Sequence, residues 1–305
     1  MKLSYIPFEE GQKHLEWIGL TEAFADGHNR PKAEIADTFL YRDPDTLLSR
    51  SAWIDGLGLA VKSATVFPQN PNRGAPMING AVSLFSDRSG ELEALVDFHL
   101  VTKWKTAGDS LWAAKRLARP DGRNILIIGA GTVARSLRAA YAAGFPEARF
   151  TVWNRTRAKA EALAGGDERM QVADDLKAAV AQADIITSAT MSTTPLIRGD
   201  WLQAGQHVDL IGAYRPDMRE ADDDTLRRAR VFVDSYDTTL GHIGELKIPL
   251  ESGVIQRSDI LGDYYDAAHF TRQSDDEITL FKNGGGAHLD LMTARYVLER
   301  WASSQ

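Results

Sequence analysis

The sequence predicts an α/β protein in which a doubly wound parallel sheet follows a mixed or antiparallel region. Three observations carry that prediction. Residues 124–134, NILIIGAGTVA, form an apolar, β-favouring run that ends in a Gly-x-Gly-x-x-Ala turn and continues as a helical pattern through 135–143. From residue 119 onward, short strand candidates recur with helical patterns between them. Before residue 118 the strand segments are instead punctuated by Pro and Gly, as in sheets built from hairpins.

In chain order, Leu15, Ile18, Leu20 and Phe24 fall at helical spacing within 8–25, with Gly19 interrupting the pattern. HNRPK at 28–32 is a polar turn. Strand segments follow at 39–41, 46–48, 52–54 and 58–67, then a breaker-rich loop, PQNPNRGAP, at 68–76. Residues 77–85 alternate again, 86–90 read as a hairpin turn, and 92–97 as the return strand. An Ala-rich helix over 101–117 stops at RPDG, where the sequence places a domain boundary. Beyond it the strand candidates are 124–128, 149–153, 170–172, 184–188, 207–211 and 231–234. The remaining tail reads as mainly helical, with Leu291, Ala294, Val297 and Leu298 at helical spacing over 287–301.

Composition bounds the function. A chain of 305 residues that is 44% hydrophobic can bury a large core and divide into two domains. A formal net charge of −7 argues against a general nucleic-acid binder. The absence of cysteine excludes disulfides, thiolate nucleophiles and Cys-ligated metals, and the histidines show no paired ligand spacing, so no metal is expected. No window is long and apolar enough for a membrane span, and the N-terminus lacks a signal-peptide core; the expectation is a cytoplasmic protein.

The glycine turn points to a dinucleotide. Gly129 permits the tight turn, Gly131 lets the backbone approach a pyrophosphate, and Ala134 lets helix and strand pack closely, with Thr132 and Val133 opening the helix on which the phosphates rest. Where NAD-binding sheets carry an acidic residue about 20 residues further on, this chain reads Asn154-Arg155-Thr156-Arg157. Arg155 and Arg157 would attract a 2′-phosphate, so NADP(H) is expected in preference to NAD(H); the competing reading is a solvated helix start. Ala189 and Thr190 lie at the end of the fourth strand, where such sheets hold their ligands.

Taken in order, GLAVK at 58–62, LVTKWKTA at 100–107, LARPD before IIGAG, IGA at 211–213, PDMRE at 216–220 and TLFKNGG at 279–285 resemble the ornithine cyclodeaminase and mu-crystallin family of NAD(P)-dependent proteins over nearly the whole chain. The resemblance implies a nucleotide domain (119–280) inserted into one substrate-binding and dimerisation domain (1–118 with 281–305), and a homodimer. It implies that Lys62 lies beside the nicotinamide and the substrate carboxylate, and that Lys105 stands where most members carry a carboxylate-clamping arginine. Gly212, Ala213, Asn283 and Gly284 would join the cofactor contacts. Lys32 (or Arg30), Arg50 and Met77 are candidates for the substrate pocket, Arg50 for a second carboxylate if it points inward. His288 could approach the nicotinamide from its place near the 284–286 glycines.

Tyr214 is the informative departure. Cyclodeaminases of the family carry an aspartate here that activates amine and water, and Asp217 is not expected to replace it. The family's ketimine reductases also lack it. The expectation is therefore NADPH-dependent reduction of an α-imino acid, such as Δ1-pyrroline-2-carboxylate, Δ1-piperideine-2-carboxylate or an acyclic imine. The alternatives are a cyclodeaminase or alanine dehydrogenase, and a non-catalytic protein that binds NADPH and a small ligand.

Overall fold

A computed structural model describes residues 3–304. In chain order the elements are β1 (Ser4–Ile6), α1 (Phe8–Gly11), α2 (Trp17–His28), β2 (Glu34–Arg42), β3 (Asp45–Ile54), β4 (Gly58–Val66), β5 (Ile78–Phe85), β6 (Leu92–Asp97) and α3 (Phe98–Leu117). There follow β7 (Asn124–Ile128), α4 (Thr132–Gly144), β8 (Arg149–Trp153), α5 (Arg157–Ala164), β9 (Met170–Val172), α6 (Leu176–Gln182), β10 (Ile185–Ser188) and β11 (His207–Leu210). The chain continues through α7 (Asp223–Arg228), β12 (Ala229–Val233), α8 (Tyr236–Thr239), α9 (Gly244–Glu251), β13 (Ile260–Gly262), β14 (Ile278–Lys282) and α10 (Ala287–Ala302).

The chain forms two compact units. One holds the described residues up to Lys105 and from Gly286 on; the other is Thr106–Gly285. These divisions fall inside α3 and just before α10, against 118 and 280 read from the sequence. The first differs because α3 runs unbroken past it, the second because β14 belongs to the large sheet.

The first unit is a six-stranded sheet in the order β1-β6-β5-β4-β3-β2, antiparallel except for the β1–β6 pair. Strand alternation sends Ala52, Ile54, Ala60, Val82, Leu84, Ala94 and Val96 to one buried face, against which α10 packs. The helix expected over 8–25 is two helices, α1 and α2, with a single-turn 3-10 segment after α1. Gly19, the blemish in that pattern, lies against Tyr296 of α10: a Cβ there would sit 2.5 Å from the tyrosine hydroxyl oxygen.

The second unit is an eight-stranded sheet ordered β13-β12-β14-β11-β10-β7-β8-β9, with every pairing parallel. Its direction of growth reverses between β7 and β10, the switch point at which open α/β sheets bind ligands. The tail read as mainly helical in fact supplies β13 and β14. All five residues of β14 are buried between β11 and β12, so the strand lacks the alternation that marks half-buried strands.

Candidate functional site

Parallel register decides what the second unit assembles. Trp153, Ile128, Ser188, Leu210, Lys282 and Val233 are successive partners across β8, β7, β10, β11, β14 and β12. The residues that follow them, Asn154, Gly129, Ala189, Ile211, Asn283 and Asp234, therefore emerge along one edge. Gly129 has φ +107°, and a Cβ on it would lie 2.7 Å from the Ala189 carbonyl oxygen, so only glycine fits this turn without strain. At Gly131, the residue capping α4, a Cβ would meet nothing within 4 Å. That open space in front of a helix whose first N–H groups have no intrahelical partner fits a dinucleotide's phosphates. Thr132 and the partly exposed Val133 form the first turn.

The loops along this edge are tied in pairs by buried carboxylates. Glu220 Oε1 accepts hydrogen bonds from Ser188 Oγ (2.6 Å), Thr190 N (2.7 Å) and Thr190 Oγ1 (2.7 Å). Its Oε2 accepts from Gly212 N (2.6 Å) and Ala213 N (3.3 Å). One side chain thus fastens the loop after β10 to the loop after β11. Asp234 Oδ2 accepts from the backbone of Gly284 (3.0 Å) and Gly285, while its Oδ1 takes Ser235 N and Thr239 Oγ1. Glu245 in turn accepts from the backbone of Glu220 (2.7 Å) and Ala221 (3.0 Å). Lys282, fully buried, donates to the carbonyls of Leu210 (2.9 Å) and Asn283 (2.7 Å) and offsets part of this negative charge. Burial, then Glu220, pushes the Glu245 carboxyl up to about 7; burial also raises Glu220 and lowers Lys282. Glu220 was visible within PDMRE, and its signal is a carboxylate after apolar Met218 in a loop between buried strands.

Of the cofactor candidates, Asn154 donates to the Thr156 carbonyl (2.8 Å), and Arg155 is exposed with no ion pair among the described residues. Arg157 pairs with Glu161 (2.7 Å) one turn along α5 and with Asp174 in the loop between β9 and α6, so its charge already has partners. The Asn283 amide donates to Thr106 O (3.1 Å) and Ser110 Oγ (3.0 Å), which fixes the loop instead of leaving a free polar group. Tyr214 is 55% exposed, and nearby Asp217 is held by Arg215 at 2.8 Å.

The first unit gathers the basic candidates. Arg50 and Lys62 are direct cross-strand partners on the face covered by α10, with Asp37 next in the row. Lys62 Nζ donates to Asp290 Oδ1 of α10 at 2.9 Å, both residues being buried, and lies 4.7 Å from the centre of the Phe98 ring. Burial, the largest influence, pulls Lys62 down to about 8 against the opposing charge of Asp290, with Lys105 and Arg50 lowering it further. Burial favours a raised Asp290 carboxyl, but Lys62, Lys105 and Arg50 outweigh it and hold it below the ordinary value.

Lys105 is also buried and has no ion-pair partner among the described residues, so it is not a solvated helix lysine. Arg50 Nε and Nη2 grip Asp37 at 3.0 and 2.9 Å. Lys32 and Met77 are exposed, and Arg30 donates to the Gly56 carbonyl at 2.6 Å. His288 is wholly buried, edge-on to His28 with ring centroids 5.3 Å apart. Burial above all, then His28, Lys105, Arg50 and Lys32, keeps its imidazole well below the ordinary value, so it is neutral at pH 7.

An all-parallel sheet with a glycine turn at its switch point, in a chain whose other unit buries Lys62 and Lys105, defines a dinucleotide-binding α/β protein. Residues 53–305 match the ornithine cyclodeaminase/mu-crystallin family. The chain is 50% identical over 301 residues to a Δ1-pyrroline-2-carboxylate reductase of Paracoccus denitrificans, spanning 96% of this chain and 95% of that protein. Thermococcus litoralis Δ1-pyrroline-2-carboxylate reductase, solved in complex with NADH and L-proline, superposes with a TM-score of 0.88 at 26% identity over 98% of both chains. An archaeal alanine dehydrogenase dimer with bound NAD gives 0.90 at 25% identity, over 100% of this chain and 97% of that one. The chain belongs to the ornithine cyclodeaminase/mu-crystallin family. It is an NAD(P)-dependent oxidoreductase. Among the described residues, no helix is long and apolar enough to cross a membrane.

Proposed function

We propose that the chain reduces the C=N bond of a cyclic α-imino acid, of the Δ1-pyrroline-2-carboxylate type, to the amino acid, with NADPH as the preferred donor. The observation that carries this reading is the buried Lys105 ammonium, which has no ion-pair partner among the described residues and is close enough to Lys62 to bear on its charge. A buried cation of this kind calls for an anionic ligand. The 50% identity to a Δ1-pyrroline-2-carboxylate reductase supports the substrate class, and Tyr214 in place of a carboxylate speaks against cyclodeamination. When bound, the dinucleotide would supply the hydride to the carbon of the protonated C=N bond, the proton on nitrogen having been taken up from solvent beforehand, so that iminium plus hydride gives the amine. Lys105 and Lys62 hold the carboxylate and orient the imine carbon, and the Lys62 ammonium keeps a positive charge next to the imine nitrogen as it becomes an amine.

Charge balance narrows the substrate. Asp290 pairs with Lys62 and Asp37 with Arg50, which leaves Lys105 as the buried cation for one substrate carboxylate, Lys32 being exposed to solvent. Arg50, committed to Asp37 through two nitrogens, does not serve a second one. Steady-state rates on five- and six-ring monocarboxylic imines should therefore exceed those on a dicarboxylic imine by about tenfold or more, the worth of one charged hydrogen bond. Ornithine should release no ammonia. Faster turnover of the dicarboxylic imine, or ammonia from ornithine, would overturn the reading.

The preference for NADPH rests on Arg155, exposed beside Asn154 and without an ion pair among the described residues. Arg155→Ala should reduce the NADPH-over-NADH ratio of kcat/KM by about ten- to a hundredfold, the loss of one charge-assisted contact to a phosphate. Arg157→Ala, whose guanidinium is spent on Glu161 and Asp174, should change the ratio little.

A homodimer belongs to the same reading. One face of the six-stranded sheet leaves Tyr5, Leu40, Leu47 and Trp53 exposed on the side opposite Lys62, an apolar surface suited to a second copy.

A further inference from the structure

The contact between β4 and α10 joins residues 228 positions apart, and nothing in the reaction outlined above uses its acidic member. Asp290 stands in a buried stretch that is apolar but for His288, Ala287-His288-Leu289-Asp290-Leu291-Met292, on the helix face turned to the sheet. Its side chain is 1% exposed. Oδ1 receives the Lys62 ammonium at 2.9 Å, whereas Oδ2 is buried without a hydrogen-bond partner among the described residues. A carboxylate half satisfied in this way is costly to bury, and an apolar residue would fill the position better were packing alone at stake. The charges that bear on it most are basic: Lys62, Lys105 and Arg50 of β3. The histidines near it, His288 on its own helix and His28 on α2, are held neutral by burial, and Lys32 in the turn after α2 adds a further positive charge. Asp37 is engaged by Arg50. Asp290 is thus the carboxylate that directly opposes the tendency of burial and of two neighbouring cations to strip the proton from Lys62.

We propose that Asp290 is a positioning residue for catalysis, which keeps the Lys62 ammonium charged and aims it by holding one of its three N–H bonds. This rests on the reading of Lys62 as a group that meets the imino acid. Because Lys62 must be protonated to act, activity is present below its pKa and falls as pH rises through it. Removing the carboxylate moves that loss to lower pH.

The test is the pH dependence of kcat/KM for Δ1-pyrroline-2-carboxylate in the parent protein, Asp290→Asn and Asp290→Glu. The parent should lose activity with a midpoint near pH 8. In Asp290→Asn the midpoint should fall by about one to three units, the range over which an opposite charge at this distance acts. Asp290→Glu, which restores the charge, should bring it back toward the parent. An alkaline limb unmoved in a folded Asn variant, or a Glu variant shifted as far as the Asn one, would overturn the proposal. Direct titration of Lys62 by NMR, after reductive methylation with carbon-labelled formaldehyde, reads the same coupling without turnover. If the parent reduces no imine, the proposed function fails while this titration still decides whether Asp290 governs Lys62. If Asp290→Asn does not fold, Asp290→Ser takes its place in the same titration: a Lys62 pKa well below that of the parent supports the proposal, and an unmoved one overturns it.

Discussion

Lys62→Ala should lower kcat/KM for imine reduction by about a hundred- to a thousandfold, the usual loss when one charge-stabilising group is removed from a reacting centre. NADPH binding, measured by fluorescence titration, should be nearly unchanged, because the glycine turn and the carboxylate-tied loops that would hold the dinucleotide lie in the other unit. The substitution also has a structural consequence. It leaves Asp290 buried without its counter-ion, and breaking a buried pair from one side costs about 3–5 kcal/mol unless the carboxyl takes up a proton. Lost activity in the single variant therefore mixes chemistry with stability. Lys62→Met combined with Asp290→Asn separates the two: removing both charges should restore most of the melting temperature while activity stays lost. Recovery of activity along with stability would mean that Lys62 only supports the fold.

The second large effect is expected at Glu220. Five donors converge on its two oxygens, three of them backbone N–H groups of Thr190, Gly212 and Ala213. Glu220→Ala strands them in a buried place, at about 1–3 kcal/mol for each donor left unsatisfied. That loss is partly offset, because burial and the neighbouring Glu245 carboxylate already oppose a charge there. The net cost should still be several kcal/mol, a large part of the roughly 5–15 kcal/mol that keeps a domain folded. Glu220→Gln keeps the shape and one accepting oxygen, so it should melt between the parent and the Ala variant. Its NADPH dissociation constant should rise while kcat at saturating NADPH changes less, because the loops after β10 and β11 are no longer held by a single group. Unchanged melting and NADPH affinity in both variants would show that the loops keep their geometry without it.

How far the sequence disclosed the site depended on how local its signals are. β7, β8, β10 and β11 are short apolar runs closed by Gly, Asn or Ala, and the parallel register then aligns their ends without further information. β2 was read only at 39–41, whereas the strand spans Glu34–Arg42; it is an edge strand exposed over most of its length, so alternation does not mark its ends. β14 follows a long loop and is buried throughout, which removes the period-two pattern. Arg157 has a competing partner that is legible in RAKAE, its i,i+4 neighbour Glu161, a local pair that competes with any phosphate. Lys62 was recognised through a resemblance, but Asp290 was not, since a contact across 228 residues exists only once β4 and α10 have packed. Lys105 shows the same dependence: its neighbour Lys103 donates to Gln12 with its side chain part-exposed, and only the fold separates the buried lysine from the accessible one.

Transfer of a labelled hydride tests the central claim most directly. With NADPH deuterated at nicotinamide C4 on both faces and Δ1-pyrroline-2-carboxylate as substrate, the product should be proline carrying one deuterium, at the carbon that bears the carboxylate. Oxidation of NADPH without deuterated proline, or no oxidation with five- and six-ring imines by a protein that binds NADPH tightly, would contradict imine reduction and leave a binding protein in its place.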